Sequence, residues 1–221
     1  MRTKTSHLSR LALDDGRSSA IFKAPSDHYL VVNRLPPAAP AAAEAASDQD
    51  AVAQRRRGPS RAGSNSSLAP PLHWHRAQQE VFHVVEGSAR FTIGGEEQVA
   101  SKGDVVVIPT GAFHTFCNAS EQAELVVEFF LDPANRERDE AYFRNVWNYR
   151  DDCRRAGIKR SIFQALLFMH RGGVVMALPG PLPIAKRLGV LYNIIGGLII
   201  GKYILGYSDT YIEYYDPHAQ E

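Results

Sequence analysis

Cysteine is nearly missing from this chain: Cys117 and Cys153 are the two in 221 residues. Two thiols are too few for a disulfide framework, and a reducing compartment is expected. A dominant charge sign is missing as well. The 25 Lys and Arg against 24 Asp and Glu leave a formal net charge of +1, so no bulk field recruits nucleic acid. The N-terminal stretch MRTKTSHLSRLALDDGRSS holds no apolar core of signal-peptide length, and a cytoplasmic location is expected. No Gly-rich phosphate loop, nucleophile elbow or paired acid dyad is present. Residues 36–70 hold almost no large apolar side chain: Ala, Pro, Ser and charge dominate, with Arg55, Arg56 and Arg57 in a row. Such a segment buries too little surface to offset its ordering entropy, so a disordered insertion between two strands is expected there, with the arginines solvated.

What is present is concentrated between His73 and Asn118. PLHWHRAQQEVFHVVEG places His73, His75, Glu80 and Gly87 as HxH, four residues, E, six residues, G. GDVVVIPTGAFHTFCN places Gly103, Pro109, Gly111, His114 and Asn118 as G, five residues, PxG, two residues, H, three residues, N. Alternation along a strand puts His73 and His75 on one face and Trp74 on the other. Glu80 has the wrong parity, so a turn or bulge through residues 76–79 must reset the register before Glu80, Phe82 and Val84 face inward. Pro109-Thr110-Gly111 reads as a turn that reverses the run Val105–Ile108 and lets His114 open the next inward face. Gly94-Gly95 reads as a two-residue hairpin turn. His83 shares no parity with Glu80 and is expected outside; Cys117 opposes His114 in parity and is not expected to be a catalytic thiol.

The two motifs resemble those of the cupin superfamily, over about residues 71–131. One position departs from the pattern: where the first motif usually opens with a glycine, this chain has Ser67, which touches the opening turn and not the metal. The resemblance implies a mainly β fold, a single antiparallel barrel of jelly-roll type, and His73, His75, Glu80 and His114 as metal ligands. Imidazole with carboxylate and no thiolate suits a divalent transition metal, Fe(II) favoured, with Mn, Ni, Cu or Zn also compatible.

Around that core the chain divides into residues 1–35 with the first barrel strands, the insertion 36–70, the barrel core 71–131 and a helical extension 132–221. Ser19–Lys23 reads as an edge strand and His28–Leu35 as another strand. In the extension, Asp132 and Pro133 read as the N-cap and first residue of a helix carrying Tyr142, Val146, Tyr149 and Cys153, ended by Gly157. Ser161 reads as the cap of a second helix, Ile162–His170. A Gly/Pro-rich connector, residues 172–183, then leads to Leu188–Tyr207, an apolar run expected either to roof the barrel, to lie on a membrane or to span one.

Phe82, Phe91, Phe113 and Phe116 are candidates for an apolar pocket, which favours a small apolar or aromatic substrate. The LHWH opening and the ending GYSDTYIEYY resemble, more narrowly, single-cupin oxidoreductases of fungal polyketide clusters. That resemblance implies a metal-dependent oxidoreductase acting on an aromatic or polyketide-derived intermediate. Two other classes fit the same residues: a non-redox metal cupin catalysing dehydration, isomerisation or cyclisation, and a non-catalytic, membrane-associated binding protein. A homodimer is compatible with either.

Overall fold

Short alternating strands, separated by turns that need left-handed backbone, build two antiparallel sheets. The computed structural model describes residues 2–38 and 66–219. In chain order the strands are β1 (Arg10–Leu13), β2 (Ser18–Phe22), β3 (Val31–Leu35), β4 (His73–His75), β5 (Gln79–Glu86), β6 (Ser88–Ile93), β7 (Glu96–Ser101), β8 (Val105–Ile108), β9 (His114–Asn118), β10 (Leu125–Asp132) and β11 (Val174–Met176). One sheet runs β1-β2-β3-β10-β5-β8 and the other β11-β4-β9-β6-β7. The alternating burial of β5 and β10 turns Phe82, Val84, Val127, Phe129 and Leu131 inward. Phe82 sits 5.2 Å from Phe91, 4.9 Å from Phe116 and 4.8 Å from Phe129, ring centre to ring centre, which locks the sheets together. Gly87, at φ +81°, passes so close to the Glu124 carbonyl that a Cβ would collide with it.

Helix α1 (Arg136–Arg155) closes one mouth of the barrel. Phe143 packs on Phe129 at 5.2 Å, and Trp147 on Phe143 at 4.9 Å and on Phe22 at 5.9 Å. Acidic Glu137 and Asp139 in its first turn and basic Arg154 and Arg155 in its last complement the helix dipole. Helix α2 (Ile162–Gly172) follows, capped by Ser161 as expected and ended by left-handed Gly173. Helix α3 (Leu182–Tyr192) continues as a wider, π-type turn over Asn193–Ile204.

Several expectations are corrected. The first helix is capped by Asn135, not Asp132, because the pairing of Asp132 with Gln79 keeps that residue in β10. Strand β2 is not an edge: β1, unread in the sequence, lies outside it. Within the connector 172–183, Val174–Met176 is a strand, recruited by pairing with the HWH strand β4. Most of the insertion expected at 36–70 lies outside the described residues. Its last part does not behave as expected, since Ser66, Ser67, Leu68 and Ala69 are buried. The reason is Asp14, a buried carboxylate that accepts from Ser67 N at 2.7 Å, Ser67 Oγ at 2.5 Å and Ser18 Oγ at 2.6 Å. Polar residues that read as loop chemistry are there to satisfy a buried charge.

Candidate metal centre

The four expected ligand residues come together, drawn from both sheets. Strands β4 and β9 pair with His73 directly opposite His114, and the two rings are 4.2 Å apart. His75 lies two residues along the same face, its ring 5.2 Å from His73 and 5.3 Å from His114. Glu80 comes from β5 in the facing sheet. The register reset it needs occurs in residues 76–78, where Gln78 donates to Pro133 O at 2.8 Å and to Asp139 Oδ2 at 3.0 Å. Glu80 Oε2 then stands 3.2 Å from His114 Nε2 and 3.7 Å from His75 Nε2. One donor atom from each of the four lies within 4.8 Å of every other, and all four residues are buried.

The hydrogen bonds around the cluster engage the outer ring nitrogens of His73 and His114, while His114 Nε2 faces inward to Glu80 Oε2. His73 Nδ1 lies 2.9 Å from Pro71 O, and His114 Nδ1 lies 2.9 Å from Ala112 O. Those contacts suit an Nδ1–H donor, which leaves each Nε2 with a lone pair facing inward. His75 has no hydrogen-bond partner at either ring nitrogen despite its burial. A buried nitrogen without a partner is costly. A metal ion among these donors would take up such a lone pair, and the donor set, three imidazoles and one carboxylate, fits a divalent transition ion. Burial holds His73 well below its ordinary pKa, with the charges of His114 and His75 adding to it. Burial also lowers His75, although Glu80 pushes back. Both rings are therefore neutral near pH 7, the form that binds metal.

A cavity of about 330 Å³ opens from this cluster toward the helices. His73, Glu80, Phe116 and Phe129 form its barrel side, and Tyr142, Phe143, Val146, Trp147, Tyr149 and Arg150 of α1 form the facing side. Ile162, Ala165, Phe168 and Met169 of α2 complete it, with Arg160 at the exposed end. Of the four expected pocket phenylalanines, only Phe116 lines the cavity. Phe82 and Phe91 are consumed by the barrel core, and Phe113 stacks on Trp74 at 6.4 Å away from the cavity. The apolar run 188–207 contributes no residue to the lining of this cavity, which α1 and α2 cover; the run packs instead on β11 and on the far side of α2. Tyr142, Trp147 and Arg150 were not singled out as pocket residues, although the helical spacing of Tyr142, Val146 and Tyr149 was the signal that α1 has one committed face. Burial and the nearby Glu80 charge raise the Tyr142 phenol, which stays protonated. His83 lies on the outer face, 2.9 Å from Glu128, and Asn118, the last position of the second motif, donates to Pro36 O and Ala123 O and accepts from Ser120 N.

A two-sheet barrel with this inward His/Glu cluster defines the class, and comparison with known proteins places the chain in it. The family described as Cupin domain matches residues 66–130. The protein named "Probable oxidoreductase virH" of Hypocrea virens is 31% identical over 155 residues, covering 68% of this chain and 70% of that protein. "Oxidoreductase iacF" of Pestalotiopsis fici is 34% identical over 115 residues, covering 50% of this chain and 56% of that protein. Among solved structures, KdgF from Halomonas sp. matches 54% of this chain and 81% of its own at 18% identity and a TM-score of 0.35. The chain belongs to the cupin superfamily, among fungal cupin-domain proteins named oxidoreductases. It spans little more than half the length of several of these relatives, 58% of yanE of Aspergillus niger and 53% of macE of Penicillium terrestre.

Proposed function

We propose that this chain is a metal-dependent oxidoreductase acting on an aromatic or polyketide-derived intermediate of secondary metabolism. The observation that carries the reading is a buried three-imidazole, one-carboxylate cluster at the inner end of an aromatic-lined cavity. His73, His75, Glu80 and His114 would hold a divalent transition metal, Fe(II) favoured, which supplies electron transfer or polarisation of a substrate oxygen. Pro71 O and Ala112 O orient two of the imidazoles, and burial keeps His73 and His75 neutral. One carboxylate against a divalent ion leaves the site net positive, so it favours an anionic oxygen such as a phenolate or enolate. The walls from Phe116, Phe129, Phe143 and Trp147 exclude water and fit a flat apolar body. Tyr142, protonated and on the wall opposite the barrel, supplies a hydroxyl for a substrate oxygen. The names of the fungal relatives support the redox class.

The test is elemental analysis of the purified protein, followed by turnover of phenolic and polyketide-derived substrates with dioxygen or another electron acceptor. Turnover that tracks metal content and consumes the acceptor supports the reading. Full turnover without any acceptor replaces it by non-redox, Lewis-acid catalysis. Tight ligand binding with neither metal nor turnover leaves a binding protein.

A further inference from the structure

Helix α3 and its π-type continuation form one rod of 23 residues, Leu182–Ile204, with two unlike faces. The inner face is built for contact. A Cβ on Gly197 would stand 2.7 Å from the backbone of Leu166, and one on Gly201 would stand 2.9 Å from Phe163 O. Asn193, the polar residue in the middle of the rod, is turned inward and donates to Val174 O at 2.7 Å. The outer face carries Ile184, Leu188, Leu191, Ile195, Ile199 and Tyr203, spaced by three or four residues and between 43% and 73% exposed. Between Arg187 and Lys202 every exposed side chain on the rod is apolar or Tyr192.

Along the stretch of chain that carries this stripe the charge has one sign. From Cys153 to Ser208 the chain has no Asp or Glu and eight Lys or Arg, although the whole chain is only +1. Arg154, Arg155 and Lys202 are spent in ion pairs with acidic residues outside that stretch. Lys159, Arg160 and Arg187 have no ion pair among the described residues, nor does Lys186, whose ammonium lies 5.3 Å from the centre of the Trp74 ring. Lys186 and Arg187 sit at the N-terminal end of the rod. Lys159 and Arg160 precede α2, whose residue Phe163 touches Gly201, so they flank the other end. Ile158 and Ile162, 60% and 40% exposed, extend the apolar surface there.

We propose that this face docks flat on an anionic lipid surface, the stripe entering the headgroup region and the basic pairs at its two ends meeting lipid phosphates and carboxylates. An in-plane helix with an apolar face and basic flanks is the form such binding takes. A crossing is excluded because the inner face is committed to α2 and β11. A second copy of this chain is disfavoured because a two-fold contact would set one basic end against another with no acid to neutralise it. The cavity reaches the surface beside Arg160 and Ile162, so the docked face adjoins its opening.

The experiment is sedimentation of the full chain with phosphatidylcholine vesicles, with and without about 30% phosphatidylserine. Binding to the anionic vesicles at least about tenfold stronger, and lost in 0.5 M salt, is expected. The double variant Ile195→Glu/Ile199→Glu should lose binding at least about tenfold while keeping the wild-type circular dichroism and metal content. Wild-type protein that stays in the supernatant with both vesicle types overturns the proposal without touching the metal reading. So does a dimer in gel filtration that the double variant splits, with no vesicle binding by either form.

Discussion

The cavity has two walls that solve different problems. The barrel wall presents His73 and Glu80, with His75 and His114 beside them in the same cluster, from strands whose register is fixed on both sides by pairing. The helical wall presents Tyr142, Val146, Trp147, Arg150 and Phe168 from α1 and α2, which are held to the barrel by side chains, through aromatic packing and hydrogen bonds such as Gln78 to Asp139 and Arg144 to Leu8 O, and not by strand pairing. Strands hold atoms at spacings a metal site demands, because a one-residue slip would turn every ligand to the wrong face. Packed helices tolerate changes of size and shape while keeping the backbone in place. On the proposed reading, metal binding and substrate choice fall on separate elements, and the two can be perturbed separately.

The sharpest break between the walls is expected at the ligands. His75→Ala or His114→Ala should lower metal content from near one equivalent to below about a tenth, since three donors no longer close the shell, and turnover should vanish for every substrate. The barrel should remain folded, because the phenylalanine core around Phe82 is untouched. Elemental analysis beside circular dichroism reads both. Near-stoichiometric metal in either variant would show that the cluster is not the site.

On the helical side, Trp147→Ala should cost about 3–5 kcal/mol of folding stability, the range for removing a buried large aromatic. Trp147 is 3% exposed and bridges Phe143 and Phe22, so its loss opens the contact between α1 and the barrel. Metal affinity per folded molecule should hardly change. If urea unfolding shows under 1 kcal/mol of loss, α1 is not fastened by this stack.

These two variants also mark what the sequence could and could not disclose. The clustering of His73, His75, Glu80 and His114 was legible from the two motifs and their resemblance to cupins, whose turns the glycines serve: Gly87 and Gly111 take left-handed backbone, at φ +81° and +79°. The register reset before Glu80 was legible from parity alone. The pocket wall was not. Phe82 and Phe116 share the inward pattern, and only the packed fold shows that the second lines the cavity while the first is buried in the barrel core. Strand β11 was hidden for a similar reason: three residues among glycines and prolines become a strand because β4 offers an edge. Ser67 reads as loop chemistry until Asp14, some 50 residues away, is seen to need it, and Ser66 joins the same group through the Ser18 hydroxyl.

A smaller effect should separate the walls by function. Val146 lines the cavity from α1 and is only half-buried, so Val146→Phe can fill space without straining the core. Bulky substrates should lose about tenfold or more in kcat/KM, in line with discrimination of about 1–3 kcal/mol for small changes in an apolar pocket. Small substrates and metal content should be unaffected. An equal loss for substrates of every size would place Val146 in the chemistry and not in selection.

The gentlest test is pH on the metal-free protein. Burial holds His73 and His75 below the ordinary histidine value of 6.5 in the folded state. The unfolded chain keeps the ordinary value, so below about pH 6.5 it binds more protons than the folded protein does. Stability from these two groups is therefore intact above that pH and declines as pH falls through the interval down to their folded-state values. The lowered carboxylates Asp152 and Asp209 act in a lower window, below their ordinary 3.8, and leave the histidine interval readable. His170 on α2 is lowered by burial and by Arg76 and Arg171, so it adds to the same slope. Comparison with His73→Asn isolates the barrel side: urea midpoints at pH 7.5, 6.5, 5.5 and 5 should fall less steeply in the variant than in the wild type. Parallel curves would assign the acid sensitivity to the helical half and leave the ligand imidazoles accessible to water.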